Sequence, residues 1–498
     1  MTNMHKFDRV AKSFAFLFLL FGACFLSKDE MEPVSVNKRL VRPLAMTQSH
    51  QEHPAEPFGA KTEGGIDGEV LRVTTLAADG PGSLRRALLA EGPRLVVFEV
   101  GGVIDLAGRT LVVRNPHLTI AGQTAPDPGI TLIRGGLIVE THDVVIQHLA
   151  VRPGDAGPAG IEWAPDALGV RRGHDVLFEH CSATWAVDEN LSVSGPGDVE
   201  NVSLTSHDIT LRHCLVAEAL SKSTHPKGEH SKGTLVHDGV RNVLIEGCLY
   251  AHNRERNPRV KGGATAIVRD SVMYNWGSAC VGVGARGNEK MLTPAEVTLV
   301  GNVAIAGPDT RGRVFVKGVD PGGRVWLRDN RIVGAALTDD RVVVVENVST
   351  RVPSPERVLR SAGSRPARRD PIDARIVQSV IDGNGKIIDS QEEVGGYPVR
   401  AATSRALVVP KDRRAWLERL SKELAVDEKL DVWCGVRQRE YSRCLSPLVN
   451  RSCRFHCRSV ELLTPPAAAT LPQSKAAAGV SREDTAARVL RCRTPYRS

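Results

Sequence analysis

The sequence predicts an all-β solenoid, a parallel β-helix with an irregular C-terminal extension, and three observations predict it. First, an apolar strand motif recurs without gaps as VVIQHLAV (144–151), VLFEHCSA (176–183), ITLRHCLV (209–216) and VLIEGCLY (243–250). Weaker copies follow at 267–274, 297–304 and 325–332, and one precedes them at 118–120. Second, the four strong copies start 32, 33 and 34 residues apart and the later ones at shorter, uneven intervals. A short strand recurring at irregular spacings of this size marks a stack of rungs with loops of variable length. Third, the chain is poor in aromatics (4%) and rich in Gly (46 residues), and no amphipathic helix separates the copies. That excludes leucine-rich and ankyrin units. The intervals also leave little room for the four strands of a propeller blade.

Stacking places equivalent residues about 4.8 Å apart. His148, His180 and His213 then form one ladder, and Leu149, Cys181, Cys214, Cys248, Ser271, Asn302 and Asn330 the ladder beside it. Periodic recurrence assigns the histidines a structural role. It also makes the three cysteines buried small hydrophobes rather than disulfide partners.

Taken in order, Lys6, Arg9 and Lys12 precede an apolar run at 13–26 that is too short to span a bilayer, so 1–27 reads as an export signal. Cys24 follows Gly22-Ala23, but Phe21 is a poor residue for lipidation there. Secretion or release into a periplasm is the expectation, with no membrane span elsewhere. Residues 28–65 are polar and Pro/His-containing and read as a linker, and 66–350 as the β-helix. Within it, Ser83 caps a short helix through Leu89, and strands follow at 96–100 and 103–106. Residues 351–433 read as a wrapping segment with helices at 373–381 and 416–424, and 434–498 as a basic, low-complexity tail. The tail holds the whole formal charge of +8, since residues 1–433 are neutral overall. Global basicity therefore argues for no nucleic-acid partner of the main domain. A monomer is expected. Cys453, His456 and Cys457 lack a second ligand pair at zinc spacing.

Chemistry concentrates on the strong rungs. YAHNRERNPRVKGG (250–263) puts Arg254, Arg256, Arg259 and Lys261 around one proline just after an apolar strand. Cations crowded this way repel one another unless they face an anion. A guanidinium there can clamp a carboxylate or, if its neighbours disfavour the charged form, remove a proton. The alternative is a solvated basic loop. Insertions from neighbouring rungs carry Asp155 and Asp166, then Asp188, Glu189 and Asn190, then SKSTHPKGEHSKGTLV with Lys227, His230 and Lys232. Asp166, Asp188 and Glu189 offer oxygen ligands without nearby Cys or paired His, a set that suits a hard cation such as Ca²⁺. A carbohydrate acid between such an ion and the Lys/Arg cluster would satisfy every charge. Against this stands a reading of the acids as strand-end surface residues paired with Arg171 and Arg172.

Several segments carry a resemblance: GSLRRAL, LVVFEVGGVIDL, LTIAGQTAPDPGITL, PDALGV, VLFEHCSATWAVDENLSV, and HPKGEHSKGTLV followed by YAHNRERNPRVKGG. Over about 68–290 the chain resembles the pectate lyases of polysaccharide lyase family 1, which are right-handed parallel β-helices. IIDSQEEVGGYP resembles the C-terminal part of some secreted bacterial members. The resemblance implies Ca²⁺-assisted β-elimination of homogalacturonan (polygalacturonate). Arg256 matches the base that takes the proton from C5, and Lys232 the lysine that binds the substrate carboxylate. Arg259 is a further substrate-binding residue, and Lys261 stands where a second Arg is usual. Asp166 and Asp188 match calcium carboxylates, with Glu189 beside them. Two departures thin that set: Ala164 and Ser192 occupy positions that are usually Asp. Two alternatives remain. One is a non-catalytic β-helix that binds acidic polysaccharide. The other is a polygalacturonase-type hydrolase, which needs clustered aspartates; the adjacent pair, Asp339-Asp340, lies outside the loop group.

Overall fold

The computed structural model describes residues 58–196, 204–284, 294–318, 323–338, 343–347 and 354–426. The expected export signal (1–27), linker residues 28–57, the Asp339-Asp340 pair and the tail (434–498) lie outside the described residues. The chain is a parallel β-helix with three sheets, which hold 11, 10 and 9 strands among the described residues. Every pairing of neighbouring rungs is parallel and in register; Val144, Val176, Ile209 and Val243, for example, line up across four rungs. Within each strand the inward side chains alternate. Val176 and Phe178, Ile209 and Leu211, Val243 and Ile245 are fully or almost fully buried in one continuous core.

Each sequence repeat is two strands with a corner between them. His174–Glu179 runs in the 11-stranded sheet and Ser182–Thr184 in the ten-stranded one. The corner residue is left-handed in every copy from His148 (φ 57°), His180 and His213 to Gly247, Asp270, Gly301 and Asp329 (φ 58°). Gly adopts this conformation freely, and Asp and His do so more readily than most residues, which accounts for the polar pair that interrupts each apolar run. The expected ladders are present. His148 stacks on His180 and His180 on His213, each with ring centroids 5.0 Å apart. His148 donates from Nδ1 to Ser364 O at 2.8 Å. Burial pushes His148 down to about 3 and, with the charge of His213, His180 down to about 4, so these two rings are neutral at ordinary pH. Cys181, Cys214 and Cys248 are buried free thiols. Below them the polar members relay hydrogen bonds from rung to rung: Cys248 N to Ser271 Oγ, Ser271 N to Asn302 Oδ1 and Asn302 N to Asn330 Oδ1, all at 3.1 Å.

A second ladder lies two residues ahead of the apolar motif. His142, His174 and His207 stack at 4.8 Å. Each donates from Nδ1 to the carboxylate that follows it, Asp143, Asp175 or Asp208, at 2.7–2.8 Å.

The insertions that follow the strong copies are not only loops. Each contains the third strand of its rung: Leu168–Arg171, Glu189–Ser194, Lys232–Val236 and Arg259–Val260 are consecutive members of the nine-stranded sheet. These strands are too short and too polar for periodicity to reveal them. Helix Pro371–Asp382 is capped by Asp370 and stopped by left-handed Gly383. It lays Ile372, Ile376, Val377 and Val380 on the outer residues Leu215, Leu249 and Val272 of the ten-stranded sheet. Fully buried Arg152 ties the helix down through Asp370 and Asp373, at 2.7 and 2.8 Å. Helix Arg413–Leu424 covers Leu95, Val97 and Ala121 with Trp416 and Leu417. The folded body already includes Phe58–Lys61, inside the stretch read as linker. Gly59 there lies so close to the sheet that a Cβ would sit 2.2 Å from Val176 O. Among the described residues no helix is long and apolar enough to cross a membrane.

Candidate active site

The nine-stranded sheet positions the site. Its strands place Glu189 opposite Lys232 and Leu235 opposite Arg259, and Lys232 forms a further parallel bridge with Glu255. Leu191, Val193, Val236 and Val260 are buried in the core and anchor these strands. The opposite face is a cleft of about 690 Å³. All seven side chains singled out from the sequence line it: Asp166, Asp188, Glu189, Lys232, Arg256, Arg259 and Lys261.

Arg256 owes its place to a glycine. Gly233 N donates to Glu255 O at 3.0 Å and Thr234 N to Arg256 O at 2.6 Å. A Cβ on Gly233 would lie 2.5 Å from Arg256 O, so only glycine lets the two segments meet. Arg256 itself is left-handed (φ 64°). Beneath it runs a buried amide relay in which Asn190 Nδ2 donates to Asn253 Oδ1 and Asn253 Nδ2 to Asn257 Oδ1, both at 3.1 Å.

The basic cluster is not four cations facing one anion. The fold gives three of them, and Lys232 beside them, a carboxylate each. Arg254 pairs with Glu229, Arg256 with Glu189, Lys261 with Asp238 at 2.6 Å and Lys232 with Glu255 at 2.7 Å. Arg259 Nη2 reaches Gly284 O at 3.4 Å. Burial works against the charge on Glu255, but Lys232, Ser278 and Arg254 outweigh it and hold the carboxyl at about 2.

On the facing side, Asp166, Asp188 and Glu189 bring ligand oxygens within 4.8 Å of one another. Arg171 pairs directly with Glu140 at 3.2 Å and reaches Asp166 only through its charge at longer range. Ser192 Oγ donates to Asp166 Oδ2 at 2.5 Å and Glu189 N to Asp166 Oδ1 at 3.0 Å. Burial, and then the charge of Asp188, nonetheless push Asp166 up to about 7. Three crowded hard oxygen donors, one of them discouraged from ionising by burial and by its neighbour, fit a divalent cation such as Ca²⁺. The set is not free of histidine, as expected from sequence. A turn at Gly228 (φ 80°) folds His225 back on His230, and the stacked rings, 3.7 Å apart, both address Asp188. Burial again opposes the charge on Asp188, but the hydrogen bond from His230 and the neighbouring cationic groups leave it below the ordinary carboxylate range.

No protein-family model matches the chain. "Probable pectate lyase C" of Aspergillus terreus is 31% identical over 366 residues, 69% of this chain and 80% of that protein. The chain belongs to the pectate lyase family. A "Probable pectate lyase C" of Aspergillus flavus is 37% identical over 265 residues, covering 53% of this chain and 56% of that relative, so the chain spans little more than half of its length. Among solved structures, the cedar pollen allergen Jun a 1 is similar with a TM-score of 0.45 and 17% identity, over 62% of this chain and 92% of that one.

Four features of this pectate lyase-family cleft were not read from sequence: Glu255, Asp238, the Asn253–Asn257 relay and the partnership of His225 and His230 with Asp188. Glu255 sat in plain view inside RERNPR. Its pairing with Lys232 comes only from the stacking of the Glu255 segment on the strand of Lys232, which periodicity does not reveal.

Proposed function

We propose that the chain is a pectate lyase that cleaves polygalacturonate by β-elimination, with Arg256 as the base. The observation that carries this reading is the convergence of Lys232, Arg256, Arg259 and Lys261 with Asp166, Asp188 and Glu189 in one open cleft. That is a cation-rich wall opposite a carboxylate triple, which suits a polymer bearing a carboxylate on every sugar.

Arg256 takes the proton from C5 of a uronate residue. The C5–H electrons form the C4=C5 double bond, the C4–O4 bond breaks, and O4 leaves with its electron pair and takes a proton from solvent. Lys232 binds the uronate carboxylate, where charge builds as C5 loses its proton. Arg259 and Lys261 hold neighbouring carboxylates and keep C5 in line with Arg256. Asp166, Asp188 and Glu189 would hold Ca²⁺, which supplies positive charge against the same carboxylate. Glu189 contacts Arg256 and belongs to the carboxylate triple, so it links the base to the ion-binding side.

A second reading, a non-catalytic β-helix that binds acidic polysaccharide, draws on that same Arg256–Glu189 pair, which engages the guanidinium with a carboxylate. One assay separates the readings: polygalacturonate is incubated with the protein and Ca²⁺ or a chelator, and products are followed by the ultraviolet absorbance of unsaturated uronate ends. Calcium-dependent absorbance is the expected result. New reducing ends without absorbance would mean hydrolysis, and binding without cleavage a glycan-binding module. Export, read from Lys6, Arg9 and Lys12 ahead of the apolar run at 13–26, would bring the protein to this substrate outside the cytoplasm.

A further inference from the structure

We propose that His225 and His230 act as a paired clamp that positions Asp188, His230 by a hydrogen bond and His225 by the close approach of its Nε2 proton, and that they are not themselves metal ligands. The inference rests on the reading of Asp166, Asp188 and Glu189 as the cation site. His230 Nε2 lies 2.7 Å from Asp188 Oδ1 and His225 Nε2 3.5 Å from the same oxygen. The rings stack at 3.7 Å with 10° between their planes, and their side chains are only 8% and 3% exposed. Two histidines and a carboxylate within ligand distance of one another would ordinarily suggest a transition-metal site.

The backbone excludes that role for His225. Lys227 N donates to His225 Nδ1 at 3.1 Å, within the tight turn closed by Gly228 N and His225 O. A main-chain N–H is always a donor, so Nδ1 carries the lone pair and Nε2 the proton. A metal at Nε2 would need the opposite tautomer. The turn thus turns His225 into a donor aimed at Asp188. Stacking holds His230 parallel, and its Nε2 addresses the same oxygen. His230 donates to Oδ1 and the Nε2 proton of His225 faces the same oxygen at 3.5 Å, whereas among the described residues Oδ2 of Asp188 takes no hydrogen bond. The carboxylate is fixed through one oxygen and presents the other. Such partners of a ligating carboxylate typically change ion affinity by about 10- to 100-fold when removed.

The test is Ca²⁺ titration calorimetry on the full chain and three variants, with thermal melting to confirm folding. His230→Phe keeps the stacked ring and removes the donor, while His230→Gln restores an amide donor near the position of Nε2. Asp166→Asn tests the underlying cation site. The expected pattern is Ca²⁺ binding by the wild type, loss in Asp166→Asn, about tenfold weaker binding in His230→Phe, and near wild-type binding in His230→Gln. Wild-type affinity in His230→Phe, alongside loss in Asp166→Asn, would overturn the clamp alone. No binding by the wild type, or unchanged binding in Asp166→Asn, would overturn the cation site and the clamp with it. Nitrogen-15 NMR of the imidazoles gives a readout independent of any ion: His225 is expected as the Nε2–H tautomer, and an Nδ1–H signal would contradict the clamp.

Discussion

Lys232 Nζ lies 2.7 Å from Glu255 Oε2, across the parallel bridge that joins their two rungs. The residue next to the proposed base therefore holds the proposed substrate lysine. The pair couples the two halves of the site, so that neither cation is placed without the other segment.

Replacing Glu255 by Gln is expected to loosen both. Lys232 is almost wholly buried and would lose its charge partner, lowering stability at neutral pH by about 2–3 kcal/mol. Glu255 sits at about 2 in the fold, below its ordinary 4.5. A carboxyl depressed in this way contributes stability above pH 4.5 that is lost as pH falls towards 2. Urea denaturation across that range should show a steep decline in the wild type and a shallower one in Glu255→Gln.

Gly233→Ala should separate fold from chemistry. The added methyl meets the Arg256 carbonyl, not a flexible side chain. The backbone carrying Arg256 must then move, at a cost of about 1–3 kcal/mol. Cleavage of polygalacturonate is expected to fall by about 100-fold, because misplacement of roughly an ångström costs that much. Retained cleavage in a folded Gly233→Ala protein would show that the carbonyl contact does not set the position of Arg256.

Asp166→Asn should have opposite effects with and without calcium. In chelator the variant is expected to be more stable than wild type by about 1 kcal/mol, since a buried charge, and one beside Asp188, is gone. With Ca²⁺ added, the wild type should gain thermal stability by linkage and the variant far less. Melting curves in both conditions check both signs.

The ladder below the cysteines carries its own prediction. Asn302 accepts from Ser271 N and donates to Val268 O. Asn302→Ala would leave the buried Ser271 N–H unpaired and is expected to cost about 2 kcal/mol. Loss measured by denaturation should exceed that of Ile267→Ala on the same rung, whose half-buried side chain leaves no polar atom stranded.

How much of this was legible in the sequence follows from which forces leave a linear trace. Stacked rungs demand the same residue class at the same place. The His148–His180–His213 and Cys181–Cys214–Cys248 ladders, and with them the architecture, could therefore be read directly from aligned repeats. The His142–His174–His207 ladder is equally periodic but lies outside the apolar part of the repeat, so hydrophobic periodicity does not report it. The third strand of each rung escaped for another reason. Its partners lie on neighbouring rungs, 22 to 43 residues away, and its outward face is charged. Glu189, Lys232 and Arg259 thus looked like loop residues. The seven side chains chosen for the site do share a cleft. Their individual partners, such as Glu255 for Lys232 and Asp238 for Lys261, are set by register between rungs and have no signature along the chain.

The central claim is that Arg256 removes the C5 proton, and Arg256→Ala tests it most directly. Elimination is followed as unsaturated uronate ends from polygalacturonate in saturating Ca²⁺, and substrate binding is measured separately on the same protein. If Arg256 is the base, binding stays within about threefold of wild type while the rate of elimination drops by about 10³-fold or more. Should Arg256→Ala keep a tenth or more of the wild-type rate, another group takes the proton and the assignment is wrong.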